Sequence, residues 1–125
     1  MKTWKILIID DSEVNLYLIQ TIFLDDPSIT IEIESNSLNA LTKIREGKPD
    51  IIILDLMMPQ VDGFQLLSQV REEEELKNIP VMVISARHDE EAKQRISQLG
   101  ILDYIKKPID LQEIENKIRG ALKSV

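Results

Sequence analysis

Cysteine is absent from the 125 residues, and histidine occurs once. The first absence excludes disulfides, thiolate metal sites and cysteine nucleophiles, and it fits a reducing, cytoplasmic setting. His88 follows Arg87 after an apolar run and is expected to be exposed and non-catalytic. No stretch is long and apolar enough to span a membrane. The first ten residues place a lysine before an apolar run but offer no small-residue cleavage site, so they read as a first strand. Internal repeats, low-complexity tracts and Gly/Ser linkers are also missing. So is any surplus of basic residues: the net charge of −7 argues against binding a nucleic-acid backbone and would more readily accommodate a divalent cation.

What is present is a regular alternation. A 14.4 kDa chain is the size of one domain, and 43% hydrophobic with 30% charged residues is ordinary for a globular protein. Trp4 to Ile9 reads as a strand. Ser12 then caps a helix with Asn15, Leu18, Ile19, Ile22 and Phe23 at helical spacing, up to Asp26-Pro27. Ile29 to Glu34 is a second strand, and Ser37 is expected to cap a second helix that Gly47 ends. Ile51 to Asp55 is a short apolar run bounded by Pro49 and by the turn chemistry of Met58-Pro59 and Asp62-Gly63, which suits a strand buried on both faces. A third helix follows from Phe64 to about Glu75, its Glu72–Glu75 run read as a solvated end. Pro80 to Ser85 is the fourth strand, Glu90 to Leu99 the fourth helix, and Ile101 to Lys106 contains the fifth strand. Asp110 and Glu113 open a last helix with Leu111, Ile114, Ile118 and Leu122 on its apolar face.

Five strands alternating with five helices imply right-handed βα units and a parallel sheet covered on both sides, whose crevice lies at the carboxyl ends of the strands. Those ends carry Asp10-Asp11, Asp55, Ser85 and Lys106-Lys107-Pro108. Three carboxylates drawn together repel unless a cation holds them ionised, and an oxygen-only donor set suits Mg²⁺. A metal, a carboxylate nucleophile, a hydroxyl and a lysine together suit phosphoryl transfer, with Asp55 attacking phosphorus, Ser85 donating a hydrogen bond and Lys107 pairing with a phosphoryl oxygen. Singly, each piece has a plain explanation: an acid pair at a helix N-terminus, a strand-end turn serine, a loop lysine. Their joint placement at four strand ends is the specific signal.

That combination resembles the receiver domain of two-component response regulators over essentially the whole chain. The pattern stands here as Ile8-Ile-Asp-Asp-Ser12, Ile53-Leu-Asp-Leu-Met-Met-Pro-Gln-Val-Asp-Gly63, Val83-Ile-Ser-Ala86 and Asp103-Tyr-Ile-Lys-Lys-Pro108. The resemblance implies a flavodoxin-like (βα)5 fold with strand order 2-1-3-4-5, and a single receiver domain over residues 1–125 with no output domain. It implies Asp55 as phosphoacceptor. Asp10, Asp11, Asp55 and the Met57 carbonyl would be Mg²⁺ ligands, with Mn²⁺ as a substitute. Ser85, Ala86 and Lys107 would bind the phosphoryl group, and Ser85 and Tyr104 would form the switch. The bond before Pro108 is expected to be cis, with Lys106 pointing away into solvent. Met57 and Arg87 stand where family members tune acyl-phosphate hydrolysis. Ile101-Leu102 departs from the small residue and acid common before Asp103-Tyr104, which bears on packing beside the switch.

The implied partners are a sensor histidine kinase or histidine phosphotransfer protein and an output partner. Val14, Tyr17, Thr21 and Leu24 form a second apolar row on the first helix, either covered by neighbouring helices or free to dock the donor. Glu91, Lys93, Arg95, Asp103, Glu115 and Arg119 fall on the fourth helix, fifth strand and fifth helix, the face receivers use for homodimers or output, where most of these charges are expected to be simply solvated. Three other functions compete. A metal-dependent phosphohydrolase lacks a visible second activating base. A phosphorylation-independent binding module would not require the complete set of Asp10, Asp11, Asp55, Ser85 and Lys107. A flavin-binding relative would find its phosphate repelled by Asp10-Asp11.

Overall fold

The computed structural model describes residues 2–86 and 90–123. The chain alternates β1 (Trp4–Ile9), α1 (Glu13–Ile22), β2 (Ile29–Glu34), α2 (Ser37–Gly47), β3 (Ile51–Asp55), α3 (Gly63–Glu72), β4 (Val81–Ser85), α4 (Glu90–Gln98), β5 (Asp103–Lys106) and α5 (Leu111–Leu122). All four strand pairings are parallel, in the order β2-β1-β3-β4-β5, which is the flavodoxin-like doubly wound arrangement. The order reverses beside β1, so the carboxyl ends of β1 and β3 flank the crevice such sheets use.

The central strands are apolar on both faces because both faces are covered. Ile6, Ile8, Ile51 and Ile53 pack with Leu16, Ile19, Ile114 and Ile118 of α1 and α5. Leu7, Ile9, Ile52 and Leu54 pack on the other side with Ala40, Ile44, Leu66, Leu67 and Ile96 of α2, α3 and α4. Fully burying each such aliphatic side chain is worth about 1.5–3 kcal/mol. Asp55 can therefore be carried into the interior at the end of β3, whose five residues are all buried.

Local chemistry revises several boundaries. Asn36, not Ser37, caps α2, accepting from the Leu38 N–H at 3.0 Å. Gly47 is the last residue of α2, and the left-handed turn falls on Lys48 at φ 43°. Helix α3 stops at Glu72, and the acids after it form ion pairs: Glu73 with Arg45, Glu74 with Lys77 at 3.0 Å, and Glu75 with Lys48 at 3.2 Å. In α1 the inward row is Leu16, Ile19 and Phe23, with Leu18 and Ile22 at its margin.

Two arginines tie the periphery. The Arg119 guanidinium meets Asp26 at 3.0 Å and Glu115 at 2.8 Å, drawing α5 toward the end of α1. Two hydrogen bonds from Ser28, from its hydroxyl and its backbone N–H, and the Arg119 pair hold the Asp26 carboxyl down to about 2. Arg71 donates to four carbonyls, those of Leu99, Gly100, Lys77 and Ile79, at 2.8–3.0 Å. It thereby joins the α3–β4 and α4–β5 connections at the amino end of the sheet, and its burial pulls its pKa down.

Candidate functional site

At the opposite end, β1 and β3 run side by side, with Ile9 in register with Leu54. The next residues are Asp10 and Asp55, which are 1% and 2% exposed. With exposed Asp11 they form a group whose carboxylate oxygens lie within 4.8 Å of one another. Burial raises the pKa of Asp10 above the usual carboxylate range, and the Asp55 charge adds to the rise. The Ser12 N–H, the Lys107 ammonium and the Asn15 amide act in the opposite direction. The Asp10 carboxylate accepts from the Ser12 N–H at 2.9 Å and from the Asn15 side-chain amide at 3.3 Å. Asn15 was expected among the apolar row of α1. The clue to its different role is a lone amide in that row, one turn past the acid pair.

Lys107 brings a cation into the crevice, with its Nζ 3.0 Å from Asp55 Oδ2 and 3.9 Å from Asp10 Oδ2. Its N–H donates to the Ser85 carbonyl at 3.0 Å, and the Lys107–Pro108 peptide is cis. Lys106 is exposed. Ser85 is fully buried at the end of β4, and Ala86 is exposed immediately after it. Tyr104 lies opposite Val83 in the β4–β5 ladder, two residues back from Ser85 and so on the same sheet face. With Ile96, Ile101, Lys93 and Ser97 it lines a largely apolar cavity of about 190 Å³. Arg87 and His88 lie outside the described residues.

The loop from β3 to α3 is closed by its own backbone. The Gly63 N–H donates to the Leu56 carbonyl at 2.9 Å, and the Met57 N–H donates to Asp55 Oδ1 at 3.1 Å. Gly63 is required by proximity: a Cβ there would stand 2.5 Å from Leu56 Cα and 2.7 Å from the Asp55 carbonyl oxygen. Met57 is 51% exposed beside Asp55. Neither the Gly63 contact nor the inward reach of Ser37, whose hydroxyl meets this loop, was legible from residue type alone.

Oxygen donors alone, three of them carboxylates, fit a hard divalent cation such as Mg²⁺. The exposed edge of the group at Asp11 leaves a way in from solvent. On α1, Val14, Tyr17 and Leu24 are 67%, 66% and 73% exposed, so neighbouring helices do not cover them. Among the described residues, no helix is long and apolar enough to cross a membrane. Of the charges on the α4, β5 and α5 side, Asp103 pairs with Lys117 at 3.3 Å and Arg95 lies over the Phe64 ring. Arg119 is engaged toward α1 rather than simply solvated.

Residues 6–119 match the family model of the response regulator receiver domain. The chain is 32% identical over 120 residues to the polar-differentiation response regulator DivK of Brucella ovis, covering 96% of this chain and 97% of that one. Its fold superposes on the receiver domain of the Francisella response regulator 1452 with TM-score 0.86 at 30% identity, covering 98% of both chains. The phosphorylated cyanobacterial phytochrome response regulator RcpA gives TM-score 0.82 at 25% identity, covering 95% of this chain and 91% of that one.

Proposed function

The chain belongs to the receiver-domain family of response regulators, and we propose that it is a phosphorylation switch of two-component signalling whose acceptor is Asp55. The observation that carries this reading is the convergence of Asp10, Asp11 and Asp55 within 4.8 Å, with Lys107 3.0 Å from Asp55. One solved relative was crystallised phosphorylated, which supports the same chemistry here.

In this reading an Asp55 carboxylate oxygen attacks the phosphorus of a phosphohistidine on a histidine kinase or phosphotransfer protein. The O–P bond forms as the N–P bond breaks, and the imidazole nitrogen leaves with the electron pair. Lys107 then transfers its ion pair from Asp55 to a phosphoryl oxygen. The Ser85 hydroxyl and the Ala86 N–H donate to the others. Asp10, Asp11, Asp55 and the Met57 carbonyl would hold Mg²⁺ or Mn²⁺, which when bound neutralises charge on the phosphoryl oxygens. Ser85 moving toward the new group frees space that Tyr104 takes up, changing the face of α4, β5 and α5 for an output partner or a second copy. Hydrolysis by water returns Asp55 and inorganic phosphate, at a rate tuned by Met57 and Arg87. The domain catalyses its own phosphorylation and dephosphorylation and turns over no separate substrate. Its place of action is the cytoplasm, and residues 1–125 act as one receiver unit.

The test is intact-protein mass after incubation with acetyl phosphate, with and without Mg²⁺, for the wild type and Asp55→Asn. One phosphoryl group gained only with Mg²⁺ and only with Asp55 present is the expected result. No adduct, together with no response to beryllofluoride, would shift the reading to a phosphorylation-independent binding module.

A further inference from the structure

The loop beside Asp55 is held at two places. One is its neck, where Gly63 bonds to Leu56; the other is its tip, where a side chain from a different helix intervenes. Ser37, in the first turn of α2, is 5% exposed. Its hydroxyl donates to the Pro59 carbonyl at 2.7 Å and accepts from the Val61 N–H at 3.2 Å. The same N–H and carbonyl bond each other at 2.9 Å around Gln60, whose φ is 70°. A two-residue closure around a left-handed residue is a γ-turn, an uncommon and strained conformation that persists only when its surroundings fix it. One hydroxyl contacts both polar ends of that turn, across more than twenty residues of sequence.

We propose that Ser37 is a positioning residue for the phosphoryl site: by bracketing the Pro59–Val61 turn it fixes the Met57 backbone, and so the oxygen that completes the cation site. The inference rests on Asp55 being the phosphoacceptor with Met57 as a carbonyl ligand. The connection is short. Met57 lies between two tethers, its own N–H on Asp55 and the bracketed turn that begins two residues later at Pro59. With Ser37 reduced to a methyl group the turn keeps the packing of Met58 and Val61 on the core but, of these hydrogen bonds, only its own. The loop can then relax out of the left-handed conformation at Gln60, taking the Met57 carbonyl with it.

The experiment compares wild type, Ser37→Ala and Ser37→Thr by calorimetric titration with Mg²⁺ and by phosphorylation with acetyl phosphate across a Mg²⁺ series. In Ser37→Ala the Mg²⁺ Kd is expected to rise about fivefold, the factor one ordinary hydrogen bond is worth. The phosphorylation rate should fall equally at low Mg²⁺ and recover at saturation, a split that general loosening of the fold would not produce. Ser37→Thr, which keeps the hydroxyl, should stay near wild type. Unchanged Mg²⁺ affinity in Ser37→Ala overturns the inference, as does an equal loss in Ser37→Thr, which would assign the effect to packing. A wild type that gains no phosphoryl group would instead overturn the phosphoacceptor reading on which the inference stands.

Discussion

Replacing Gly63 by alanine tests how tightly the acceptor end of β3 is held by α3. The added methyl would lie 2.5 Å from Leu56 Cα and 2.7 Å from the Asp55 carbonyl oxygen, both backbone atoms that no rotamer change can move aside. Carbon atoms settle at about 3.5–4.0 Å, so the first turn of α3 has to retreat by about 1 Å. Such overpacking costs about 1–3 kcal/mol. The same retreat stretches the Gly63–Leu56 hydrogen bond, worth about 1 kcal/mol more. A total of about 3 kcal/mol, with a urea slope of about 2 kcal/mol per molar, lowers the unfolding midpoint by about 1.5 M. The assay is equilibrium urea unfolding followed by far-ultraviolet circular dichroism. Gly120→Ala is the matched control, because a Cβ there meets nothing within 4 Å and alanine favours the helix interior, so its midpoint should hold or rise. A Gly63→Ala midpoint within about 0.3 M of wild type would refute the close-approach argument, since about 0.6 kcal/mol is well below the smallest cost of such a clash.

Three further outcomes follow from the same structure. Asp10→Asn should stabilise the metal-free protein at pH 7, because the folded state confines that carboxylate against burial and the Asp55 charge. A folded pKa above the unfolded value of 3.8 means that the wild type loses stability as pH rises through that interval, so the advantage of the variant should vanish below pH 3.8; urea midpoints in EDTA at several pH values give the comparison. Asp26→Asn has the opposite sign. With the folded carboxyl at about 2 against an ordinary 3.8, wild-type stability from this group is complete above pH 3.8 and lost as pH falls to 2, so the two proteins should differ at pH 6 and converge near pH 2. Tyr17→Glu should slow phosphorylation by a protein donor at least tenfold while sparing acetyl phosphate, because Tyr17 is 66% exposed within the uncovered α1 row; equal loss with both donors would exclude donor docking there.

The sheet was legible because its signal is short-ranged. A strand buried on both faces reads as a continuous apolar run, and β1, β3 and β4 each end on a polar residue or just before one. The carboxylate cluster followed from topology, since parallel strands bring their carboxyl ends to one edge whatever lies between them. Helix ends were less legible. Asn36 and Ser37 are both good caps, and which one serves depends on whether a distant carbonyl claims the other hydroxyl; Pro59 does. The same holds for Gly47 and Lys48, where the left-handed residue is set by where the chain must turn toward β3. The glutamates after α3 are largely solvated, as their run of like charge suggests, but that run carries no record of Arg45 and Lys48 at the end of α2, with which Glu73 and Glu75 pair. Conversely, the second apolar row on α1 was visible in the sequence, and in the fold Val14, Tyr17 and Leu24 are exposed while Thr21 is half-buried.

The arginine at the amino end of the sheet has a consequence for how this chain can vary. Arg71 reaches carbonyls in two separate connections, at Lys77 and Ile79 and at Leu99 and Gly100. A planar guanidinium makes those bonds only while the two segments keep their spacing, and a lysine would present a point charge in place of the fork. Connection length is therefore frozen at that pole: a residue inserted between Lys77 and Pro80, or between Leu99 and Leu102, would withdraw at least one carbonyl from reach. Diversification by insertion is left to segments outside this grip, so one end of the molecule is a fixed gauge of length and the other is where new specificity can be written.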